Sequence, residues 1–433
     1  MRAAKGAFIV AGTGRVDEPH HHGLPTVHRA AARKGGPEQC ADFVARDSLA
    51  ACSWLHFFAG SSFVRALSPV VTHPAYFPAF TYGNAPVNVY WEMTVACDLS
   101  CRHCRADAIG DRDKLELSTE EGMALMRDVK AMGSHLILTG GDPLKRPDLF
   151  ELIAYGRSIH LPIAITPAVT PLLTEEIVKK LKEAGVATMG MSLDGATAER
   201  HDGFRQVPGT FEMSLRALGW ARDAGMPVQI NSTVTSDTIK QLPQMLELLL
   251  TQAPPVRRWS LFVLIPVGRG LMLGSPTAQE IEGLFGWVYE NSQKVPFHMS
   301  TVEAPHYRRF WMQKKLSEGV KLEEIEQRGR MMGFGIRDGS GIVFVSHRGE
   351  VYPAGFLPYP LLGNVREKPL PEIYRHSEGA VALRNMDELH GRCGECEFRW
   401  ICGGSRARAY AATGNAMASD PLCIYQPSPA AAE

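Results

Sequence analysis

The sequence predicts an α/β fold: a partial (β/α)6 barrel of the TIM type, followed by a small cysteine-bearing C-terminal domain. Three observations carry this. From Val87 onward, short apolar strands alternate with amphipathic helices. The alternation stops before the full set of units that closes a barrel. The cysteines avoid the barrel's body, with none from Arg105 through Arg392.

The elements follow in order. "VNVYWEMT", from Val87, reads as the first strand. The helix "STEEGMALMRDVKAMG" opens with a capping box, Ser118 followed three residues later by Glu121. "HLILTG" is a strand, "PDLFELIAYGRSIH" a helix and "PIAITPAV" a third strand. "TEEIVKKLKEAG" is a helix with a glycine stop, and "VATMGMSLDG" is the fourth strand. "TFEMSLRALGWARDAG", "PVQINSTVT", "IKQLPQMLELLL" and "RRWSLFVLIPVG" continue through a fifth and a sixth strand. The strands are short and nearly all apolar, which predicts a parallel sheet buried on both faces. "GIVFVSHRGEVYPAG" predicts a hairpin with His347-Arg348-Gly349 at its turn. The expected organisation is a poorly ordered extension over 1–84, the barrel over 85–295, a bridge over 296–335 and the C-terminal domain over 336–428.

Bulk properties exclude several classes of function. Lysine plus arginine equals aspartate plus glutamate at 46 each, so no basic field points to nucleic acid or an anionic membrane. The most apolar stretch, Leu49 to Val71, is interrupted by His56 and Arg65 and predicts no membrane span. Nine cysteines bunched into clusters suit a reducing cytoplasm and metal sites better than disulfides. Cys40 and Cys52 have no partner motif, and the run His20, His21, His22 reads as a solvated leader.

Cys97, Cys101 and Cys104 stand in "CDLSCRHC", directly after the first strand. That is the carboxyl end, where parallel barrels place their chemistry. Three thiolates without a fourth leave an open coordination position. The closing thiols Cys393, Cys396 and Cys402 form CxxC-x5-C, with Cys423 further on, a set that suits structural zinc or an iron–sulfur cluster.

CxxxCxxC at the end of a first barrel strand resembles the radical S-adenosylmethionine (SAM) superfamily. The resemblance implies a [4Fe-4S] cluster whose free iron binds SAM, reductive cleavage to a 5′-deoxyadenosyl radical, and hydrogen abstraction from substrate. It also implies an electron donor such as flavodoxin or ferredoxin. "TGGDPL" is similar to the family's GGEP motif and assigns Thr139, Gly140, Gly141 and Asp142 to the methionine end of SAM, with the aspartate a departure from the usual glutamate. By the same resemblance Ser192 and Asp194 face the ribose, Arg205 the SAM carboxylate, and Asn231 and Thr233 the ribose or carboxylate. His103 takes the place of an aromatic that packs near the adenine.

The tail "CGECEFRWICGGSRARAYAATGNAMASDPLCIY" resembles the SPASM/twitch extension, which carries auxiliary [4Fe-4S] clusters. Ala354 stands where the fuller version has a cysteine, so the resemblance implies one auxiliary cluster on Cys393, Cys396, Cys402 and Cys423. "LIPVGRG", "EAPHYRR" and "CGGSRARAY" are most similar to the haem-synthesis branch, which implies an iron-porphyrin substrate. Arg269, Arg308 and Arg309 then hold propionates and His306 lies over the ring. The other readings are a maturase of ribosomally made peptides and a non-catalytic zinc or iron–sulfur protein.

Anaerobically reconstituted protein is expected to hold about eight irons per chain, and about four once Cys97, Cys101 and Cys104 are all changed to alanine. That triple variant should also cleave no SAM with dithionite. Zinc in the tail by metal analysis, or cleavage by the triple variant, contradicts these assignments.

Overall fold

A computed structural model describes residues 80–252 and 256–427. The expected extension lies outside the described residues as far as position 79, and with it Cys40, Cys52 and the histidine run. Phe80 to Asn84 are described and packed: Tyr82 Oη donates to Phe334 O at 3.3 Å, and Tyr374 Oη donates to Tyr82 O at 2.6 Å.

Strands and helices alternate as β1 (Asn88–Glu92), α1 (Thr119–Ala131), β2 (His135–Thr139), α2 (Leu149–Ser158), β3 (Ile163–Ile165), α3 (Glu175–Glu183) and β4 (Thr188–Ser192). Two helices follow, α4 (Ala198–Arg205) and α5 (Thr210–Asp223), then β5 (Val228–Val234), α6 (Leu242–Gln252), β6 (Val256–Val263) and α7 (Ala278–Asn291). The capping box at Ser118 and Glu121 is present. A seventh strand, β7 (His298–Val302), lies inside the stretch expected to be a bridge and pairs parallel to β6. Next come α8 (Tyr307–Ser317) and α9 (Leu322–Gly329). The hairpin β8 (Ile342–Val345) and β9 (Glu350–Tyr352) forms as predicted, with Gly349 at a left-handed φ of 83° in its turn. It also does what sequence reading missed: β8 joins β1 in parallel. With β10 (Gly363–Asn364) the sheet runs β10-β9-β8-β1-β2-β3-β4-β5-β6-β7, and β7 and β10 are left as its two edges. The barrel is partial.

One expectation is corrected. The strands are not apolar on both faces. Their outer face carries Val89, Trp91, Leu136, Leu138, Ile163, Ile165, Met189, Met191, Ile230, Trp259 and Leu261, all buried. Burying each against the helices contributes about 1.5–3 kcal/mol. Strand register puts a mostly polar set on the inner face: beside Ile137, Phe262 and Phe344 stand Tyr90, Glu92, Thr139, Ser192, Gln229, Asn231, Thr233, Arg258, Ser260, His298 and Ser300. Several of these stay half-buried or exposed. A closed barrel fills its centre with branched apolar side chains. This one keeps a polar lumen.

At the head of the lumen one carboxylate ties three segments together. Glu92, which ends β1, pairs with Arg105 and takes His347 Nδ1 at 2.8 Å. His347, in the hairpin turn, reaches Asp113 through Nε2 at 3.2 Å. Burial pushes Glu92 up, but Arg105 and His347 outweigh it and hold the carboxyl below its ordinary range. For His347, burial acts downward, and Glu92 and Asp113 outweigh it to raise the imidazole above 6.5.

Stability from the raised imidazole is complete below pH 6.5 and is lost as pH rises through the folded value. Stability from Glu92 is complete above its ordinary 4.5 and is lost as pH falls. The melting-temperature gap between wild type and His347→Gln is therefore expected to narrow as pH rises above 6.5. A gap that stays constant across neutrality contradicts the clasp.

Candidate functional site

The chain leaves β1 through Thr94 to Ala96 and enters the thiol loop. Cys97 N donates to Ile109 O at 2.7 Å, Arg102 N to Phe204 O at 3.0 Å and Cys104 N to Cys101 O at 3.2 Å, so the loop is held at three points. Each sulfur receives one donor: Leu99 N to Cys97 at 3.4 Å, Ala108 N to Cys104 at 3.4 Å, and Arg205 Nη1 to Cys101 at 3.4 Å. Such donors steady metal-bound thiolates and tune their potential. Burial pushes the Cys97 thiol up to about 11, so this sulfur is a thiolate when a cation holds it.

Gly140 and Gly141, ending β2, lie against the base of the loop. Gly141 N donates to Thr94 O and Asp142 N to Ala96 O, both at 2.7 Å. A Cβ at Gly140 would stand 2.4 Å from Thr94 O, and one at Gly141 2.3 Å from Ala96 O. Only glycine permits that approach. Thr139 lies beside Glu92 on the lumen face. The Asp142 carboxylate turns inward, accepting from Leu144 N at 3.1 Å, Ala168 N at 3.3 Å and Thr170 Oγ1 at 3.0 Å. Its part is to hold the turn, and the backbone faces the site.

Asp194 is a correction. Expected at a ribose, it is buried with both oxygens engaged: one takes Thr233 N at 2.6 Å and the other pairs with Arg205. Ser192 and Asn231, neighbours in register on the lumen face, are half-buried there, with Asn231 Oδ1 accepting from Gln229 Nε2 at 2.8 Å and its amide nitrogen left available. Burial opposes the Arg205 charge, but Asp194 and Cys101 outweigh it and keep the guanidinium firmly protonated. His103 stacks on Phe204 with ring centroids 4.8 Å apart, and burial pushes it down to about 4, so it is neutral near pH 7.

Arg269 belongs to the rim of this same site. Its N–H donates to Cys104 O at 3.1 Å, and a Cβ on Gly268, at a left-handed φ of 54°, would meet that oxygen at 2.5 Å. The guanidinium is 3.5 Å from Asp107. His103 Nδ1, Arg205 Nε, and Arg269 Nε and Nη2 are buried without a hydrogen-bond partner. Four orphaned nitrogens around three thiols fit a bound anionic ligand.

Deeper in the lumen stand groups that sequence reading missed. Arg258 on β6 is next to His298 on β7 in register. Its charge acts on Tyr90 of β1, although β1 and β6 are not neighbours in the sheet, so the two face the same lumen from different strands. Solvent reaches Arg258, yet burial still lowers its pKa, with Tyr90 opposing. No ion pair of Arg258 forms among the described residues. The signal was an arginine inside a central parallel strand, "VRRWSLFV".

The second thiol set gathers as expected from spacing. Cys393, Cys396, Cys402 and Cys423 line one pocket, together with His306, Arg309, Asp420 and Tyr425. Gly404 N donates to Cys402 Sγ at 3.4 Å and Asp420 N to Cys393 Sγ at 3.5 Å. Burial pushes the Cys402 thiol up to about 12. Among the described residues, no three His, Cys, Asp or Glu side chains converge as tightly as a single metal ion requires. A four-iron cube puts each thiolate on its own iron and asks for a wider spacing than zinc.

Three expected substrate residues prove to belong to this second site. Arg309 is held by Glu282 through two contacts of 2.6 Å and lies 5.1 Å from the Tyr425 ring centre. Arg308 donates to Ile401 O at 3.3 Å. His306 is buried against Phe285 and 3.8 Å from Asp420, with neither nitrogen hydrogen-bonded. The cause is tertiary: α8 points its first turn at the cysteine tail. Ala354 packs among Ile265, Leu357, Leu383 and Ala407, an apolar cluster with no thiol.

Residues 91–249 match the family model of the radical SAM superfamily. The chain is 39% identical over 345 residues to the AdoMet-dependent heme synthase of Methanosarcina barkeri, covering 79% of this chain and 98% of that one. It is 34% identical over 365 residues to the Fe-coproporphyrin III synthase of the same organism, covering 81% and 90%. Among solved structures, SuiB of Streptococcus suis bound to the precursor peptide SuiA superposes with a TM-score of 0.63 at 16% identity, over 79% of this chain and 76% of that one. That last likeness is one of fold.

Removing one partner of a buried ion pair strands the other charge. Asp194→Ala is expected to destabilise the iron-free protein by about 3–5 kcal/mol in urea unfolding, and Asp194→Leu with Arg205→Met by less. A loss below about 1 kcal/mol, as for surface pairs, contradicts the buried anchor.

Proposed function

The chain belongs to the radical SAM superfamily, in its haem-synthesis-like branch, and from that premise we propose that it converts propionate side chains of an iron porphyrin to vinyl groups with loss of carbon dioxide. One observation carries the choice of substrate: the likeness to an AdoMet-dependent heme synthase spans nearly that protein's whole length. Cys97, Cys101 and Cys104 would hold a four-iron cluster, which would supply the electron for reductive cleavage of SAM and so the hydrogen abstraction from substrate.

The chain's own residues then divide the work. Gly140 and Gly141 present backbone to the methionine end, and Arg205 and Arg269 supply unpartnered N–H groups for its carboxylate. Neutral His103 offers an apolar ring face to the adenine. Ser192, Asn231 and Thr233 line the way to the ribose. Asp194 positions Arg205 and the β5 backbone rather than touching the cofactor.

With Arg309 committed to Glu282, the carboxylate-binding role passes to Arg258 and His298 in the lumen. Removing a hydrogen atom and a carboxylate, as CO2, from a propionate leaves a vinyl group and one electron. Cys393, Cys396, Cys402 and Cys423 would hold one auxiliary [4Fe-4S] cluster, suited to taking up that electron. In this reading residues 85–295 with β7 and the hairpin form the catalytic barrel, and the rest of 336–428 the auxiliary domain. A flavodoxin or ferredoxin supplies electrons in the cytoplasm.

Wild-type enzyme with SAM, dithionite and iron coproporphyrin should give a product lighter by one CO2 and two hydrogens for each side chain converted, read by mass spectrometry. Arg258→Ala is expected to weaken porphyrin binding roughly 30-fold or more, read from the Soret band, while uncoupled SAM cleavage persists. No spectral change with wild type removes the porphyrin and puts a peptide substrate in its place. Unaltered affinity in Arg258→Ala removes Arg258 from the site.

A further inference from the structure

Arginines crowd the second thiol site, and their counter-charges do not match. Arg309 has Glu282 and Arg408 has Asp420 at 3.1 Å. Arg308, Arg337 and Arg406 form no ion pair among the described residues. They end on carbonyl oxygens instead. Arg308 Nη1 reaches Ile401 O at 3.3 Å, and Arg337 Nη1 reaches Gly335 O at 3.0 Å and Trp400 O at 3.4 Å. Arg406 Nη1 takes Ala416 O and Ala418 O, both at 2.8 Å. Arg406 is fully buried and Arg337 nearly so. The neighbouring carboxylates pair with none of them: Asp338, whose charge acts on all three, accepts from Ala407 N at 2.9 Å, and Glu303 accepts from Ser405 Oγ at 2.6 Å.

All three lie close to the sulfurs. Arg406 Nη2 is 3.8 Å from Cys393 Sγ. A Cβ on Gly403 would meet Arg337 Cδ at 2.9 Å, and one on Gly404 would meet Arg406 Nη2 at 2.5 Å and Cys393 Sγ at 3.4 Å. Both arginines are thus laid along the turn that follows Cys402. Arg308 reaches the residue before Cys402, Ile401, through its carbonyl.

Cations withdrawn from water are costly without an anion, and two buried and one half-buried arginine against the single carboxylate of Asp338 imply missing negative charge. A four-iron cluster held by four thiolates is a net anion, and one-electron reduction adds another negative charge. Fixed cations around it favour the reduced state over the oxidised one. We propose that Arg308, Arg337 and Arg406 are the built-in counter-charge of the auxiliary cluster and hold its reduction potential high. The inference rests on reading the second thiol set as a cluster site. It sets the direction of electron flow: the electron left when the substrate loses its hydrogen atom and CO2 reduces the cluster by one, and the reduced cluster passes it to an oxidised one-electron carrier of ferredoxin or flavodoxin type. The arginines act through the cluster and touch no substrate.

The experiment uses the full chain with Cys97, Cys101 and Cys104 changed to alanine, so that only the second site can load. After anaerobic reconstitution, iron is counted and the midpoint potential is measured by titration with electron paramagnetic resonance detection. Arg337→Met and Arg406→Met should each shift the reduced-to-oxidised ratio at a fixed potential about tenfold toward oxidised, ~59 mV for one electron. Arg337→Lys and Arg406→Lys, which keep the charge, should shift it less. A loaded cluster whose potential is the same in the methionine variants overturns the proposal. Methionine variants that fail to load while lysine variants load support it through the same need for charge, and failure of both overturns it. Absence of iron–sulfur cluster from the parent chain, or zinc in its place, instead refutes the cluster reading itself.

Discussion

Glu92 is the point on which the rest of the arrangement turns. Its buried carboxylate closes β1, pairs with Arg105 directly after the last cysteine of the first loop, and takes His347 from a hairpin more than half the chain away. A lone carboxylate at that depth would be strongly unfavourable. Its two partners make it tolerable, and each brings a segment with it. The thiol loop is thereby fixed to the end of a central strand, and the C-terminal hairpin to the same sheet. Arg105 adds a packing contact, 4.4 Å from the centre of the Phe344 ring on β8. Local order at the cysteines is in this sense a long-range property.

Much of the barrel was legible because its signals are local. The capping box at Ser118 and Glu121, the glycine stop after α3 and the His347–Gly349 turn need only neighbouring residues. The same holds for CxxxCxxC and for the paired glycines, whose small size announces a close backbone approach. What escaped reading depends on which way a strand faces. Ser192, Asn231, Ser260 and Ser300 occupy alternate positions, but they are small and sit among Met, Ile, Leu and Trp, so the strands look apolar throughout. β7 was missed because His298, Ser300 and Thr301 make it too polar for a buried strand. It is an edge strand whose polar side lines an open space.

The misplaced arginines teach a related lesson. "EAPHYRR" shows two adjacent cations and a histidine, and a helix sends adjacent residues in different directions. Arg309 turns to Glu282 on α7, Arg308 to the carbonyl of Ile401, and His306 toward Asp420. None of those partners is near in sequence. The two cofactor regions nonetheless share one physical signature, a concentration of buried nitrogen donors left unpartnered: His103, Arg205 and Arg269 at one, His306, Arg309, Arg337 and Arg408 at the other. Interiors tolerate few such groups, so their concentration marks where other atoms belong.

Ala354 has a consequence for stoichiometry. In an apolar cluster with Leu357 and Leu383, it gives no foothold for further iron, so on the proposed reading the C-terminal region would store a single reducing equivalent. A substrate with more than one side chain to convert cannot discharge all its electrons into the protein at once. The store must be emptied between rounds, and the half-converted molecule must wait in the lumen or leave and return. Turnover of the proposed reaction would then be a sequence of separately gated steps, paced by the carrier that collects each electron.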